Sequence, residues 1–111
     1  MAYDEDLADH IRAMISGEEG ITEKRMFGGL AFLVGGNMAV AASGQGGLLV
    51  RVDPDETEDL LEEPGAFPFE MRGREMTGWL RVEADGDSPP ELVEPWVRRG
   101  VGYARSLPAK G

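Results

Sequence analysis

The chain has no cysteine, a single histidine and few positive charges. No apolar run approaches the roughly 20 residues of a membrane-spanning helix. Each shortage removes a class of function. Without thiols there are no disulfides, no thiolate metal sites and no cysteine nucleophiles. His10 alone cannot build a metal cluster, which needs several convergent ligands. It is also the only histidine base open to Ser16, Ser43, Ser88 and Ser106. No GxSxG elbow occurs, so a Ser/His triad is not expected. No charged n-region leads into an apolar stretch, so no secretory signal is read and a cytoplasmic location is expected. With 11 Lys and Arg against 21 Asp and Glu, the net charge is −10. Binding to a nucleic-acid backbone needs a cationic surface, so direct contact with DNA or RNA is not expected.

What is present is enough for one domain spanning 1–111. A chain of 111 residues buries roughly two-thirds of its unfolded surface. Residues 25–52 organise it: RMFGGLAFLVGGNMAVAASGQGGLLVRV. Three apolar runs, Leu30–Val34, Met38–Ala42 and Leu48–Val52, are separated by GGN and GQGG. Glycine accepts the positive φ that tight hairpins require, so this stretch predicts a three-stranded antiparallel meander. Leu30, Phe32 and Val34 fall on one side of their strand, and Ala31 and Leu33 on the other. Both sides are apolar, which predicts an interior strand or one packed on both faces.

The flanks read as cover. Asp4–Ser16 carries Leu7, Ile11, Met14 and Ile15 as one helical stripe, with Asp4 as N-cap and Gly17 as stop. Thr22–Phe27 is a strand candidate. DPDETEDLLEE reads as a short acidic helix with Asp53 as its N-cap and Pro54 at its first position. Residues 66–71 read as an edge strand, because Pro68 lacks an N–H. Thr77–Glu83 reads as a strand around Trp79, Leu80 and Val82. Pro90–Leu107 reads as the last helix, with Ser88 as its cap and Gly100 and Gly102 as small positions suited to close approach. Phe27, Phe32, Phe67, Phe69, Trp79, Trp96 and Tyr103 are mostly core by spacing.

The run Met26-Phe27-Gly28-Gly29-Leu30, then GGNMA at 35–39, then Arg51-Val52-Asp53, resembles the N-terminal domain of the TfoX/Sxy competence-regulator family. So do residues 74–82, REMTGWLRV, and the C-terminal Trp96-Val97 with GYARSLP at 102–108. The resemblance covers nearly the whole chain. It implies a two-layer α+β fold similar to type III secretion chaperones. The implied sheet has about five antiparallel strands, with helices in the order α-β-β-β-α-β-β-α. It also implies a regulatory or interaction role, since named members promote expression of DNA-uptake genes. Full-length regulators carry a second, C-terminal domain, so the likeness is to a stand-alone N-terminal domain. No catalytic residues follow from it.

The residues themselves point to recognition more than to catalysis. The glycine-rich stretches match neither GxGxxG nor GxxxxGK[ST], so no phosphate loop and no cofactor are expected. Asp53, Asp55, Glu56, Asp59, Glu62 and Glu63 attract cations but lack EF-hand spacing, so no metal is expected either. Arg72 and Arg74 flank a glycine, and Arg81 lies in the strand beyond them. Such a cluster clamps a phosphate or a partner's carboxylates, or pairs with the chain's own acidic 55–63 segment. Arg98 and Arg105, seven apart, share a helical face and pose the same choice. Phe67 and Phe69, on either side of Pro68, are the aromatics expected at an exposed edge. The resulting expectation is a non-enzymatic domain that binds an unidentified protein partner, forms a homodimer through an edge strand or the last helix, and acts in regulation. The alternative is a sensor of small anionic ligands.

Overall fold

The computed structural model describes residues 3–26 and 28–108. Six antiparallel strands form one sheet: β1 (Ile21–Met26), β2 (Gly29–Val34), β3 (Asn37–Ala42), β4 (Leu48–Arg51), β5 (Ala66–Met71) and β6 (Arg74–Val82). Their order across the sheet is β1-β2-β3-β4-β6-β5. The α+β class and the antiparallel meander are as the sequence indicates. The Thr22–Phe27 candidate adds β1 as an edge strand, so the sheet has six strands and not about five. Phe27 itself lies outside the described residues. Two hairpins turn on paired positive φ angles, at Gly35 (58°) with Gly36 (84°) and at Arg72 (54°) with Gly73 (78°). That is the twist which matches the right-handed twist of the flanking strands.

One face of the sheet is covered by helices. α1 (Glu5–Met14) buries Leu7, Ala8 and Ile11, and α3 (Pro90–Ser106) buries Val93, Trp96, Val97, Val101 and Ala104. They pack on Phe32, Val40, Ala42, Leu48, Val50, Leu80 and Val82, all within 2% of complete burial. Gly100 sets the depth of this contact. A Cβ there would sit 2.4 Å from the Ala39 carbonyl oxygen, whereas a Cβ at Gly102 would meet nothing within 4 Å. Only the first of these glycines therefore serves close approach.

Capping follows the sequence at α1 and at the acidic segment, where Asp53 Oδ1 accepts from the Asp55 N–H at 2.9 Å, and departs from it at α3. Asp4 caps α1, its Oδ1 accepting from the Leu7 N–H at 3.0 Å. Its Oδ2 accepts from the Gly86 N–H at 2.9 Å, tying the chain's start to the lead-in of α3. Ser88 does not cap α3. Pro89 holds that position without a side-chain bond, and the Ser88 hydroxyl accepts from the Asp85 N–H at 2.9 Å within the preceding turn. The acidic stretch after Asp53 is a 3₁₀ turn (Pro54–Glu56) followed by one α turn, α2 (Thr57–Leu60), and not one continuous helix. Only Leu60 and Leu61 are apolar there, which is too little of a stripe to hold a longer helix on the core. Buried Thr57 donates from Oγ1 to the Asp53 carbonyl at 3.2 Å and accepts from the Gly78 N–H at 3.0 Å. That bond holds β6 where Gly78 adopts φ 91°.

Candidate functional site

The second face of the sheet has a different cover. Ala31, Ala41 and Leu49 form its floor, at 1%, 5% and 9% exposure, and half-buried Met26, Leu33, Met38, Phe69 and Trp79 pack around them. Among the described residues, no helix contributes to this cluster. β2 is thus apolar on both sides, as its alternation requires, but only the Leu30–Phe32–Val34 side meets helices. The walls of the other side come from neighbouring strands.

Strand register fixes which side chains share this open face, because residues directly opposite one another lie on the same side. Lys24 pairs with Ala31, Ala31 with Ala41, Ala41 with Leu49, Leu49 with Arg81, and Arg81 with Phe67. One row therefore crosses all six strands as Lys24-Ala31-Ala41-Leu49-Arg81-Phe67. It has an apolar centre between two cations and contains no carboxylate. Next to it, Arg51 pairs with Trp79. The Arg51 guanidinium carbon lies 5.3 Å from the Trp79 ring centroid and 5.9 Å from that of Tyr103. Both distances are within cation–π range, so the half-buried Arg51 is oriented by aromatic faces.

The β5–β6 hairpin contributes a further wall. Its register shifts between Pro68 and Glu70. Phe69, Glu70 and Arg72 then line a pocket of about 270 Å³ with Met26, Met38, Ala41, Leu49 and the Ser43–Gln45 turn. Phe67 and Arg81 line a second, larger concavity with Gly46, Glu83 and Asp85.

The sequence-derived candidates divide between these places. Phe67 is exposed at the β5 edge (47%), as expected of an edge aromatic. Phe69 is not exposed: two residues on from Phe67, it shares that residue's side of β5 and packs into the second-face cluster. Arg72 reaches the pocket, Arg81 the central row, and Arg74 stands exposed at the start of β6 without lining either concavity. Among the described residues none of these three makes an ion pair, with the 55–63 segment or elsewhere. The contact to that segment comes instead from Arg99, 3.7 Å from Glu63 and stacked on Trp96. Arg98 and Arg105 line one small cavity but are engaged, Arg98 with Glu94 at 3.3 Å and Arg105 with Glu18 at 2.8 Å. They lie on the helical side, away from the row. Lys24, Leu33, Met38, Arg51 and Trp79 are the members that sequence reasoning did not single out. The signal was the alternation of Ala31 and Leu33 against Phe32, together with an arginine placed two residues beyond Leu49.

Electrostatics is otherwise quiet. Hydrogen bonds from the Leu7 and Gly86 N–H groups hold the Asp4 carboxyl below its usual value of 3.8, and the Arg12 guanidinium holds Glu23 below 4.5. Both groups are on the helix-covered side. Among the described residues, no three His, Asp or Glu side chains are arranged to hold a metal ion. Among the described residues, no helix is long and apolar enough to cross a membrane.

Residues 13–104 match the family model described as the TfoX N-terminal domain. That span includes every strand and nearly all of α3. No curated protein matches the chain.

Proposed function

We propose, on the premise that this chain belongs to the TfoX N-terminal domain family, that it is a non-enzymatic regulatory domain working in the cytoplasm by binding another protein. The reading extends to transcriptional regulation of the kind the competence-related family name suggests. One observation carries it. A sheet sealed by helices on one face keeps a second apolar face, with Leu33, Met38 and Trp79 half-buried and uncovered by any described helix. Soluble domains rarely leave such a patch unless it meets a partner.

The test is affinity capture from native lysate with the wild-type domain and with Leu33→Asp, read by mass spectrometry. A stoichiometric partner taken by the wild type and lost with the variant supports the reading. A partner retained by both removes this face from it, and no partner at all removes the interaction role. Self-association through the exposed β5 edge belongs to the same reading. Light scattering that gives only ~12 kDa particles at micromolar concentration excludes it.

A second reading, a sensor of small anionic ligands, draws on Arg72 and Arg81, which each line a concavity without an ion-pair partner among the described residues. It predicts a thermal shift with anionic metabolites that disappears in Arg81→Ala.

A further inference from the structure

We infer that the open face receives an acidic, amphipathic segment of a protein partner, with apolar side chains against Leu33, Met38 and Trp79 and carboxylates on Lys24 and Arg81. The inference rests on the protein-binding reading above and specifies the partner's chemistry. Three observations carry it.

The first is charge. The chain has a net charge of −10, yet the row across its open face holds two cations and no carboxylate. Arg51 and Arg72 add to that sign, and neither makes an ion pair among the described residues. Glu70 is the single carboxylate lining the pocket beneath the hairpin, and Glu83 and Asp85 line the concavity beyond Arg81. None of the three lies in the central row. An arginine free of local partners suits a planar carboxylate from outside.

The second observation is shape. The floor is made of two alanines and a leucine, whereas the flanking Met26, Leu33, Met38, Phe69 and Trp79 are large. At 1–9% exposure the floor is closed over by those large side chains, so they themselves present the apolar surface of this face, and the Met side chains adapt to what lies on it.

The third is length. Lys24 and Arg81 stand on β1 and β6, four strand spacings apart, which is roughly 19 Å. A helix covers that distance in about 13 residues. The occupant thus carries acidic residues toward both ends of roughly a dozen residues, with an apolar centre. A second copy of this face is a poor occupant, because pairing would set like charges against each other.

The test is selection of random 16-residue peptides displayed on phage against the immobilised intact domain, followed by fluorescence anisotropy on the enriched sequences. The expected peptides carry Asp or Glu on both sides of an apolar centre. Their affinity falls at least tenfold in Arg81→Glu and in Lys24→Glu, and falls steadily between 50 and 500 mM salt. Both positions are exposed, and unchanged urea midpoints confirm that the variants fold. Enriched peptides without carboxylates, or with affinities indifferent to both reversals, overturn the acidic partner and leave the protein-binding reading standing. No enrichment, or binding indifferent to Leu33→Asp, overturns both. A dimer in light scattering that dissociates in Leu33→Asp assigns the face to a second copy and also overturns the inference.

Discussion

The two faces of this sheet are built from the same strands and differ in what they bury. On the covered face, Phe32, Leu48, Val50 and Leu80 are wholly enclosed by α1 and α3. On the open face, one residue further along each strand, Leu33, Leu49 and Arg81 stand under no described helix. Alternation along a strand thus separates two jobs: even-numbered β2 and β4 positions hold the fold together, and odd-numbered ones present a surface. The lesson is that an apolar strand face need not be a structural one. Where no described helix encloses it and cations border it, it is the surface on which the proposed partner would dock.

The comparison can be broken most forcefully at neighbouring residues. Phe32→Ala should cost about 3–5 kcal/mol in urea unfolding, since it empties an enclosed site. Leu33→Ala, one residue on, should cost roughly 1–2 kcal/mol, because that side chain is only partly buried. Equal losses would mean that the two faces are equally structural. Next in size is the glycine pair on α3. Gly100→Ala drives a methyl group into the Ala39 carbonyl and should cost about 1–3 kcal/mol. Gly102→Ala meets nothing and should stabilise by up to about 1 kcal/mol. Thermal unfolding of both variants reads the difference in sign.

Asp4→Ala should cost about 1 kcal/mol at pH 7 by removing the cap of α1. Because Asp4 titrates below 3.8 in the folded protein, its contribution is complete above that value. It fades as pH falls through the lower folded value. Urea midpoints of wild type and variant should differ at pH 7 and pH 5 and converge as the pH is taken well below 3.8. The smallest effect sharpens the comparison from the open side. Arg81→Ala should change stability by less than about 0.5 kcal/mol, since the exposed guanidinium makes no ion pair among the described residues. Capture of a protein partner should nevertheless be weakened in the same variant.

Much of this architecture is legible in the residues. Glycine pairs at 35–36 and 46–47 announce the hairpins, the stripe from Leu7 to Ile15 announces α1, and the pattern around Met26–Leu30 and Trp79–Arg81 points to the family. The candidate surface is less legible. Arg81 and Phe67 can be read as exposed candidates, but their sharing of a row with Lys24 depends on the register of five strand pairings. Those pairings bring together residues 57 positions apart in the chain, and local pattern does not encode them. Phe69 is misread as exposed because Pro68 marks β5 as an edge strand, whereas large side chains from other strands on the same face half-bury it. Arg98 and Arg105 do share a face, but Glu94 and Glu18 already occupy them.

The central claim is that the open face, and not the helical side, meets the partner. Its most direct test is a ¹⁵N–¹H chemical-shift titration of the labelled domain with an enriched peptide or the captured partner. The account predicts that the largest shifts fall on Lys24, Leu33, Met38, Leu49, Trp79 and Arg81, with α1 and α3 nearly silent. Shifts concentrated on Arg98, Arg105 or the acidic 53–63 segment, with β2 and β4 unmoved, would contradict it.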